Sequence, residues 1–252
     1  MQGRGRILVS ERFKTQTLLC VPVSKGHLMK LLGRLEWTIL IVIIVYSFIP
    51  VVGGLFRILE LAGGPVVAPV NLRALADPFP IVVHILASFL FCIAGALQFL
   101  PSIRRHRPAT HRVIGRTVAI AGCASAATGI WMTHFYALPE ELQGNLLYLV
   151  RITVGFSMIG LIGMAMIAIR SRNIFRHSAT MLRAYAIGQG ASTQTFLGIG
   201  WIIVSGTEPL GPLRDGLMVF AWVLNLSVAE FVIGKFLKRK GLLAQRSNTM
   251  TD

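Results

Sequence analysis

The sequence predicts an all-α fold: a polytopic membrane protein built as a bundle of six transmembrane helices, with both termini in the cytoplasm. Three observations predict it. Apolar residues make up 54% of the 252 residues and charged residues only 14%, and the mean hydropathy is +0.67, whereas a soluble domain of this length needs more charge to cover its surface. Six stretches are long and apolar enough to cross a bilayer. Basic residues are concentrated in alternate connectors between those stretches.

Each predicted span has the length that a helix needs to cross the hydrocarbon core, roughly 20 residues. Helices also pair every backbone amide internally, which lipid requires. The predicted spans are residues 37–56, 79–100, 117–136, 147–169, 184–204 and 216–237.

The membrane domain of residues 37–237 is preceded by a cytoplasmic segment, 1–36, and followed by a basic cytoplasmic tail, 238–252. Residues 1–28 are polar and irregular. Met29 opens a stretch that looks like a bacterial start, so we expect residues 1–28 to be either a disordered tail or an artefact of the assigned start site. The connector of residues 57–78 is long and Pro-rich, and it is either a functional lid or a linker.

The distribution of Lys and Arg predicts the orientation. Of the 25 basic residues, 21 lie before the first span, in the second and fourth connectors, or at the end of the last span and beyond. By the positive-inside rule these segments are cytoplasmic, and we expect the protein in the inner (plasma) membrane. Topology therefore explains the formal net charge of +15, and nucleic acid is not an expected partner. The expected partners are the lipid bilayer, anionic lipids at the cytoplasmic face, and either a second copy of the chain or a redox partner.

Three ionisable side chains form an outer layer of the predicted bundle. They are His84 on the second span, His134 at the end of the third and Arg151 on the fourth. Ionisable groups inside a bilayer are costly, so each is a functional candidate. Two histidines on different helices could bind a haem iron axially, with Arg151 pairing a propionate. The alternative is that His84 hydrogen-bonds a neighbouring helix while the other two extend to the headgroups.

An inner layer lies near the predicted cytoplasmic face. Its carboxylate, Glu230, could be neutralised by Arg116, Arg183 or a protonated histidine. His111 and His177 could form a second axial pair or relay protons. The alternative is a structural polar network with lipid contacts. The layer consists of Gln98, His111, Arg112, Arg116, His177, Arg183, Tyr185 and Glu230, with Asn225 slightly deeper.

The fifth predicted span is unusually polar at its centre, where Gln189 and Thr193 share one helix face. We expect this helix to be central and to line either a cofactor slot or a narrow polar cavity. Hydrogen bonds between helices would satisfy the same groups without a ligand. The sequence contains no Walker loop, dinucleotide fingerprint, HExxH motif or nucleophile elbow.

Three motifs extend over about residues 80–235. They are His84 with Gly95-x-x-Gln98-Phe99 and Arg105-x-Arg107-Pro108-x-x-His111-Arg112-x-x-Gly115-Arg116; His177-x-x-x-Met181-x-Arg183-x-Tyr185-Ala186; and Trp222-x-x-Asn225-x-x-x-Ala229-Glu230. This pattern resembles a family of bacterial membrane proteins called domain of unknown function 2306. The resemblance implies an integral membrane protein, and functional positions at His84, His111, His177, Arg183, Asn225 and Glu230. His134 and Arg151 match no motif of that family.

Three functional hypotheses follow, and they leave open whether the protein is an enzyme. The leading one is a b-type haem or quinone-linked electron-transfer protein, with His84 and His134 as ligands near one face and His111 and His177 near the other. The second is a proton-coupled small-molecule transporter, in which Glu230 and Arg183 form an ion-paired gate and Gln189 and Thr193 line the path. The third is a structural membrane subunit without catalysis.

Overall fold

Helices make up the regular secondary structure of the residues that the structure describes. The structure is a computed structural model that describes residues 25–66 and 71–237, so the predicted N-terminal segment up to residue 24 and the tail from residue 238 lie outside the described residues. No strand occurs among the described residues, and the predicted all-α fold is confirmed. The helices are α1 (Lys25–Leu61), α2 (Leu72–Ala76), α3 (Pro78–Leu97), α4 (Pro101–His106), α5 (Pro108–Phe135), α6 (Asn145–Arg170), α7 (Ile174–Gly188), α8 (Gly190–Ser205) and α9 (Gly211–Val232), which continues as a π-helical turn, Ile233–Leu237.

Five of these helices, α1, α3, α5, α6 and α9, are long and apolar enough to cross a bilayer. Each overlaps one of the predicted spans. Large apolar side chains, including Val42, Ile120, Ile167 and Phe231, are exposed on the outside of the bundle. Such an apolar exterior suits lipid and would be an aggregation hazard in water. The chain is therefore a multi-pass membrane protein.

The fifth predicted span, residues 184–204, is not a single helix. α7 ends at Gly188 and α8 begins at Gly190, so the helix is broken at Gln189. The two pieces have 15 and 16 residues, and neither reaches the length of a crossing by itself. A sixth crossing by α7 and α8 together stays a prediction, as does the cytoplasmic location of both termini.

Several helices begin earlier than the spans predicted within them, α5 and α7 among them. α5 starts at Pro108 and α7 at Ile174, because hydropathy marks the apolar core of a span while the helix continues into the interface. Proline suits the first position of a helix, where no amide hydrogen bond is lost. The side chain of Asn173 caps α7 by accepting a hydrogen bond from the Arg176 amide at 2.9 Å.

The bundle is arranged around α7, which contacts α3, α6 and α9. α3 also packs on α5, α5 on α6 and α8 on α9, while α1 lies at the edge against α3 and α8. Buried side chains such as Phe91, Val118 and Ile162 form the core. Glycine allows the close approach of these helices, since a Cβ atom on Gly122 would lie 2.6 Å from the Phe91 ring and 2.7 Å from Ile162.

The bundle has two ends, the Asp215 end and the Glu230 end. The Asp215 end contains the starts of α3, α6 and α9 and the ends of α5 and α8. The Glu230 end contains the starts of α5 and α7 and the ends of α3, α6 and α9.

Candidate functional site

A cavity of about 440 Å³ occupies the half of the bundle nearer the Asp215 end. Residues of α1, α3, α5, α6, α7, α8 and α9 line it. Its volume lies within the range of small-molecule sites, which are typically about 300–1,000 Å³. Most of its walls are apolar. The polar side chains on them are Ser47, Asn71, His84, Ser88, Ser125, Thr133, Tyr136, Arg151, Ser192 and Gln194.

His84 faces α5 across the cavity. Its Nδ1 lies 2.9 Å from the Ser125 carbonyl oxygen and 3.2 Å from the Thr128 hydroxyl. Because a carbonyl oxygen only accepts, Nδ1 is assigned the hydrogen. Nε2 has no hydrogen-bond partner among the described residues, so this nitrogen is left for a ligand. As predicted, His84 lies among helices.

Arg151 lines the same cavity from α6. Its guanidinium donates to the Gln143 side-chain oxygen at 2.5 Å and to the Met218 sulfur at 3.6 Å. Arg151 belongs to neither of the ion pairs Arg57–Glu60 and Arg183–Glu230. A guanidinium without a bonded carboxylate inside a membrane domain makes this position a functional candidate.

Asp215, at the start of α9, is 4% exposed. Its two carboxylate oxygens accept hydrogen bonds from the backbone amides of Gly144 and Leu147, each at 3.3 Å. It therefore caps the N-terminus of α6, where backbone donors lack partners and the helix dipole favours a negative charge. Sequence reasoning placed Asp215 in a connector and missed this role, because the two partners are far apart along the chain.

The connector of residues 57–78 reaches over the Asp215 end. Tyr136 donates its hydroxyl hydrogen to the Asp77 carbonyl oxygen at 2.6 Å, and Arg73 donates to the Ala137 carbonyl oxygen at 2.6 Å. Burial raises the pKa of the Tyr136 phenol, and the Asp77 carboxylate adds to that shift, so Tyr136 stays protonated. These bonds tie the connector to the loop after α5. Asn71 of the connector lines the cavity, and residues 67–70 lie outside the described residues.

A buried polar network borders the cavity toward the middle of the bundle. The Gln189 side-chain oxygen accepts hydrogen bonds from Ser192 at 2.9 Å and from Ser47 at 3.1 Å. Its amide nitrogen donates to the Tyr185 hydroxyl at 2.9 Å. Tyr185 in turn donates to the Cys92 carbonyl oxygen at 2.6 Å. Gln189 and Tyr185 thus join α1, α3, α7 and α8 next to the cavity, which Ser47 and Ser192 of this network line.

The break between α7 and α8 is satisfied by donors from α9. The Trp222 ring nitrogen donates to the Ile187 carbonyl oxygen, and the Asn225 amide donates to the Ala186 carbonyl oxygen, both at 3.2 Å. Backbone groups freed by a helix break in a membrane need such partners. The network therefore supports the break as a stable feature.

Thr193, predicted to line a transport path, also takes part in helix packing. It is hydrogen-bonded to Tyr46 of α1, and it donates to the Asn225 side-chain oxygen at 2.7 Å. Neither Gln189 nor Thr193 lines the cavity, whereas their neighbours Ser192 and Gln194 do. The polar centre of α8 thus serves both packing and cavity lining.

Glu230 is bound to Arg183 at the opposite end of the bundle. Arg183 Nη2 donates to one carboxylate oxygen of Glu230 at 2.9 Å, and Arg183 Nε donates to the other oxygen. The Arg183 and Glu230 side chains are 32% and 53% exposed, so this pair lies at the surface of the bundle rather than in its core. Of the cations considered for Glu230, the structure pairs it with Arg183, while Arg116 is exposed on α5.

Gln98, His111 and His177 lie at the Glu230 end. His177 Nδ1 lies 3.0 Å from the Ala165 carbonyl oxygen. The Gln98 amide nitrogen and His111 Nδ1 are buried without hydrogen-bond partners. His111 and His177 are within electrostatic range of each other. The structure thus groups these residues, and neither histidine lines the cavity.

His134 lies apart from His84. It is exposed on α5, where its Nδ1 is 3.0 Å from the Tyr148 hydroxyl and its ring packs edge-on against Phe135 at 4.7 Å. It does not line the cavity. The structure therefore gives no support to His84 and His134 as an axial pair. Among the described residues there is also no group of three or more His, Cys, Asp or Glu side chains that could hold a metal ion.

Comparison with known proteins identifies the family. Searches of curated proteins and of solved structures give no match. A family model described as "Predicted membrane protein (DUF2306)" matches residues 81–233, which extend from the first turn of α3 to the end of α9 and include His84, Arg183 and Glu230. Since the match covers more than half of the chain, the protein belongs to the DUF2306 family of predicted membrane proteins.

Proposed function

We propose that this protein is a membrane carrier that binds a small molecule in the cavity and releases it at the Glu230 end. The observation that supports this proposal is a cavity confined to one half of the bundle. The cavity extends inward as far as Ser47, Cys92 and Gly188. The packed side chains of Gln189 and Tyr185 lie behind these residues, and Arg183 and Glu230 tie α7 to α9 at the opposite end. A carrier in one of its two alternating states has this arrangement.

The broken helix supports the same proposal. Discontinuous helices near the middle of the bilayer are a recurring feature of transporter binding sites. Here α8 contributes Ser192 and Gln194 to the cavity. α7 also lines the cavity with its last two residues, and it carries Arg183 at the opposite end. Motion about Gln189 could therefore couple the occupancy of the cavity to the ion pair. We place the Glu230 end in the cytoplasm and the protein in the inner membrane, on the basis of the basic connectors.

Quinone-linked electron transfer is the second candidate. The observation that favours it is the unbonded Nε2 of His84 in a cavity with mostly apolar walls, since this nitrogen can accept a hydrogen bond from a quinol hydroxyl. A b-type haem fits less well, because axial binding on both faces needs two ligands and no second histidine lines the cavity. A Soret band in the purified protein would favour haem over the carrier.

The carrier proposal is tested by labelling a cysteine in the cavity from each side of the membrane. Ser88→Cys is introduced into a chain whose three native cysteines are replaced by alanine, and a membrane-impermeant maleimide is added to vesicles of either orientation. We expect labelling from the Asp215 side. When Glu230→Gln is added, we expect labelling from the Glu230 side as well, because the ion pair no longer holds that end closed.

The control is Ile203→Cys, at a position on the apolar exterior with 78% exposure, which should react from neither side. The carrier proposal would be wrong if the cavity cysteine reacted from neither side, or if Glu230→Gln gave no labelling from the Glu230 side. This experiment needs no knowledge of the ligand.

A further inference from the structure

We infer that the ligand of the cavity is a small amphiphilic anion, whose carboxylate or similar oxyanion binds Arg151 and whose apolar part contacts the cavity walls. The inference deepens the proposed function, and it rests on that function for the transport that would follow binding. Binding itself is tested separately. Four features of the cavity lead to this ligand class.

The first feature is the incomplete set of partners around Arg151. A guanidinium has five N–H donors in one plane. Gln143 accepts one strong hydrogen bond at 2.5 Å, and the second acceptor, the Met218 sulfur at 3.6 Å, is weak. Arg151 also borders the cavity. The remaining donors can therefore be satisfied by a bound oxyanion, which a guanidinium recognises through two parallel hydrogen bonds.

The second feature is the balance of charge around that guanidinium. The Arg214 guanidinium and the Asp215 carboxylate are both within electrostatic range of Arg151. The first repels the Arg151 charge and the second attracts it. The Asp215 carboxylate is already bonded to the first amides of α6. The cavity lining formed by the described residues contains no Asp or Glu. An anionic ligand would thus supply the negative charge that this site lacks.

The third feature is the polar group opposite Arg151. His84 is within electrostatic range of Arg151, and both side chains line the cavity. The Ser125 carbonyl fixes the His84 ring through Nδ1, which leaves Nε2 for a second contact. The cavity that holds Arg151 therefore offers a ligand one further polar atom in a fixed orientation.

The fourth feature is the apolar wall around these two groups. Ile85, Phe89, Val154 and Trp222 line the cavity, while Ser88 and Ser125 share a hydrogen bond of 2.6 Å that uses one of their two hydroxyl hydrogens. A cavity of about 440 Å³ suits a compact apolar body rather than a highly hydroxylated one. The site would therefore select a ligand with one charged group and few other polar groups.

The test is a binding titration of the purified full chain in detergent, followed by the intrinsic fluorescence of Trp222. Benzoate and benzenesulfonate are the anionic probes, and benzyl alcohol is the neutral analogue of similar size. We expect saturable binding of both anions and much weaker binding of the alcohol. Replacement of Trp222 by Phe should remove the signal.

Arg151→Gln should weaken binding of both anions by about tenfold or more, because it removes a charged hydrogen-bond donor. It should leave the weak binding of benzyl alcohol unchanged. The matched control is Arg170→Gln, an exposed arginine at the other end of the same helix, which should bind the anions like the wild type. If Arg151→Gln does not fold, the preference of the wild-type protein for benzoate over benzyl alcohol decides the question.

Equal affinities for benzoate and benzyl alcohol would overturn the inference, as would unchanged anion binding in a folded Arg151→Gln protein. Two-sided labelling without anion binding would leave the carrier intact and remove this ligand class. Anion binding without two-sided labelling would keep the site and remove the carrier.

Discussion

The guanidinium of Arg183 on α7 donates hydrogen bonds to both carboxylate oxygens of Glu230 on α9. This pair joins the first half of the broken helix to the last helix at the end of the bundle opposite the cavity. Both side chains are partly exposed. The pair is therefore suited to hold one end of the bundle closed and to separate again without a large cost.

Glu230→Gln should leave stability almost unchanged, because an exposed ion pair contributes only about 0.2–1 kcal/mol. The unfolding midpoint in detergent measures this effect, with Glu140→Gln at an exposed loop position as the control. A fall in stability of several kcal/mol would mean that the pair is a major structural contact, and it would weaken its assignment as a gate.

Asp215→Leu should destabilise the protein by about 1–3 kcal/mol, because it leaves the buried amides of Gly144 and Leu147 without an acceptor. Asp215→Asn keeps one acceptor oxygen and should cost less. Denaturant titration of both variants provides the measurement. Equal stability of Asp215→Leu and the wild type would show that the carboxylate does not cap α6.

Gln189→Leu should also destabilise the protein by about 1–3 kcal/mol, because Ser47, Ser192 and Tyr185 lose a buried partner. The control is Thr195→Val on the same helix, since the Thr195 hydroxyl is exposed and bonds only to the backbone of its own helix. The measurement is the thermal unfolding midpoint of each variant in the same detergent. Similar midpoints would contradict the view that Gln189 holds four helices together.

Gly122→Ala should lower the free energy of unfolding by about 1–3 kcal/mol, because it overpacks the core. The added methyl group would lie 2.6 Å from the Phe91 ring, which is itself buried between helices. Gly163→Ala on α6 meets nothing within 4 Å and should be neutral or slightly stabilising, because alanine favours helix. The comparison of unfolding midpoints tests the packing of α3 against α5 without touching the cavity.

Much of the fold could be predicted from the sequence because lipid imposes simple rules. Long apolar stretches in the sequence predicted α1, α3, α5, α6 and α9, since each of these helices must cross the hydrocarbon core. The same rule could not reveal the break at Gln189. That break depends on Trp222 and Asn225, which donate to the freed carbonyls from another helix, and no local pattern in the sequence records such a partner.

The candidate site was predictable only in part. His84 and Arg151 were selected because an ionisable side chain is costly to bury in a bilayer. Both of them line the cavity. The same argument also selected His134, which lies exposed beside Tyr148, because depth along a helix does not say which face a side chain occupies. Asp215 was missed because its role as a cap is formed with amides that are remote in sequence.

The most direct test of the carrier is uptake of radiolabelled benzenesulfonate into proteoliposomes. Its charge is permanent, so it cannot leak through the bilayer as a neutral acid. We predict saturable uptake by the wild type and by Arg170→Gln, and loss of uptake in Arg151→Gln. Uptake by the wild type no faster than by protein-free liposomes, or equal uptake by a folded Arg151→Gln protein, would contradict the account.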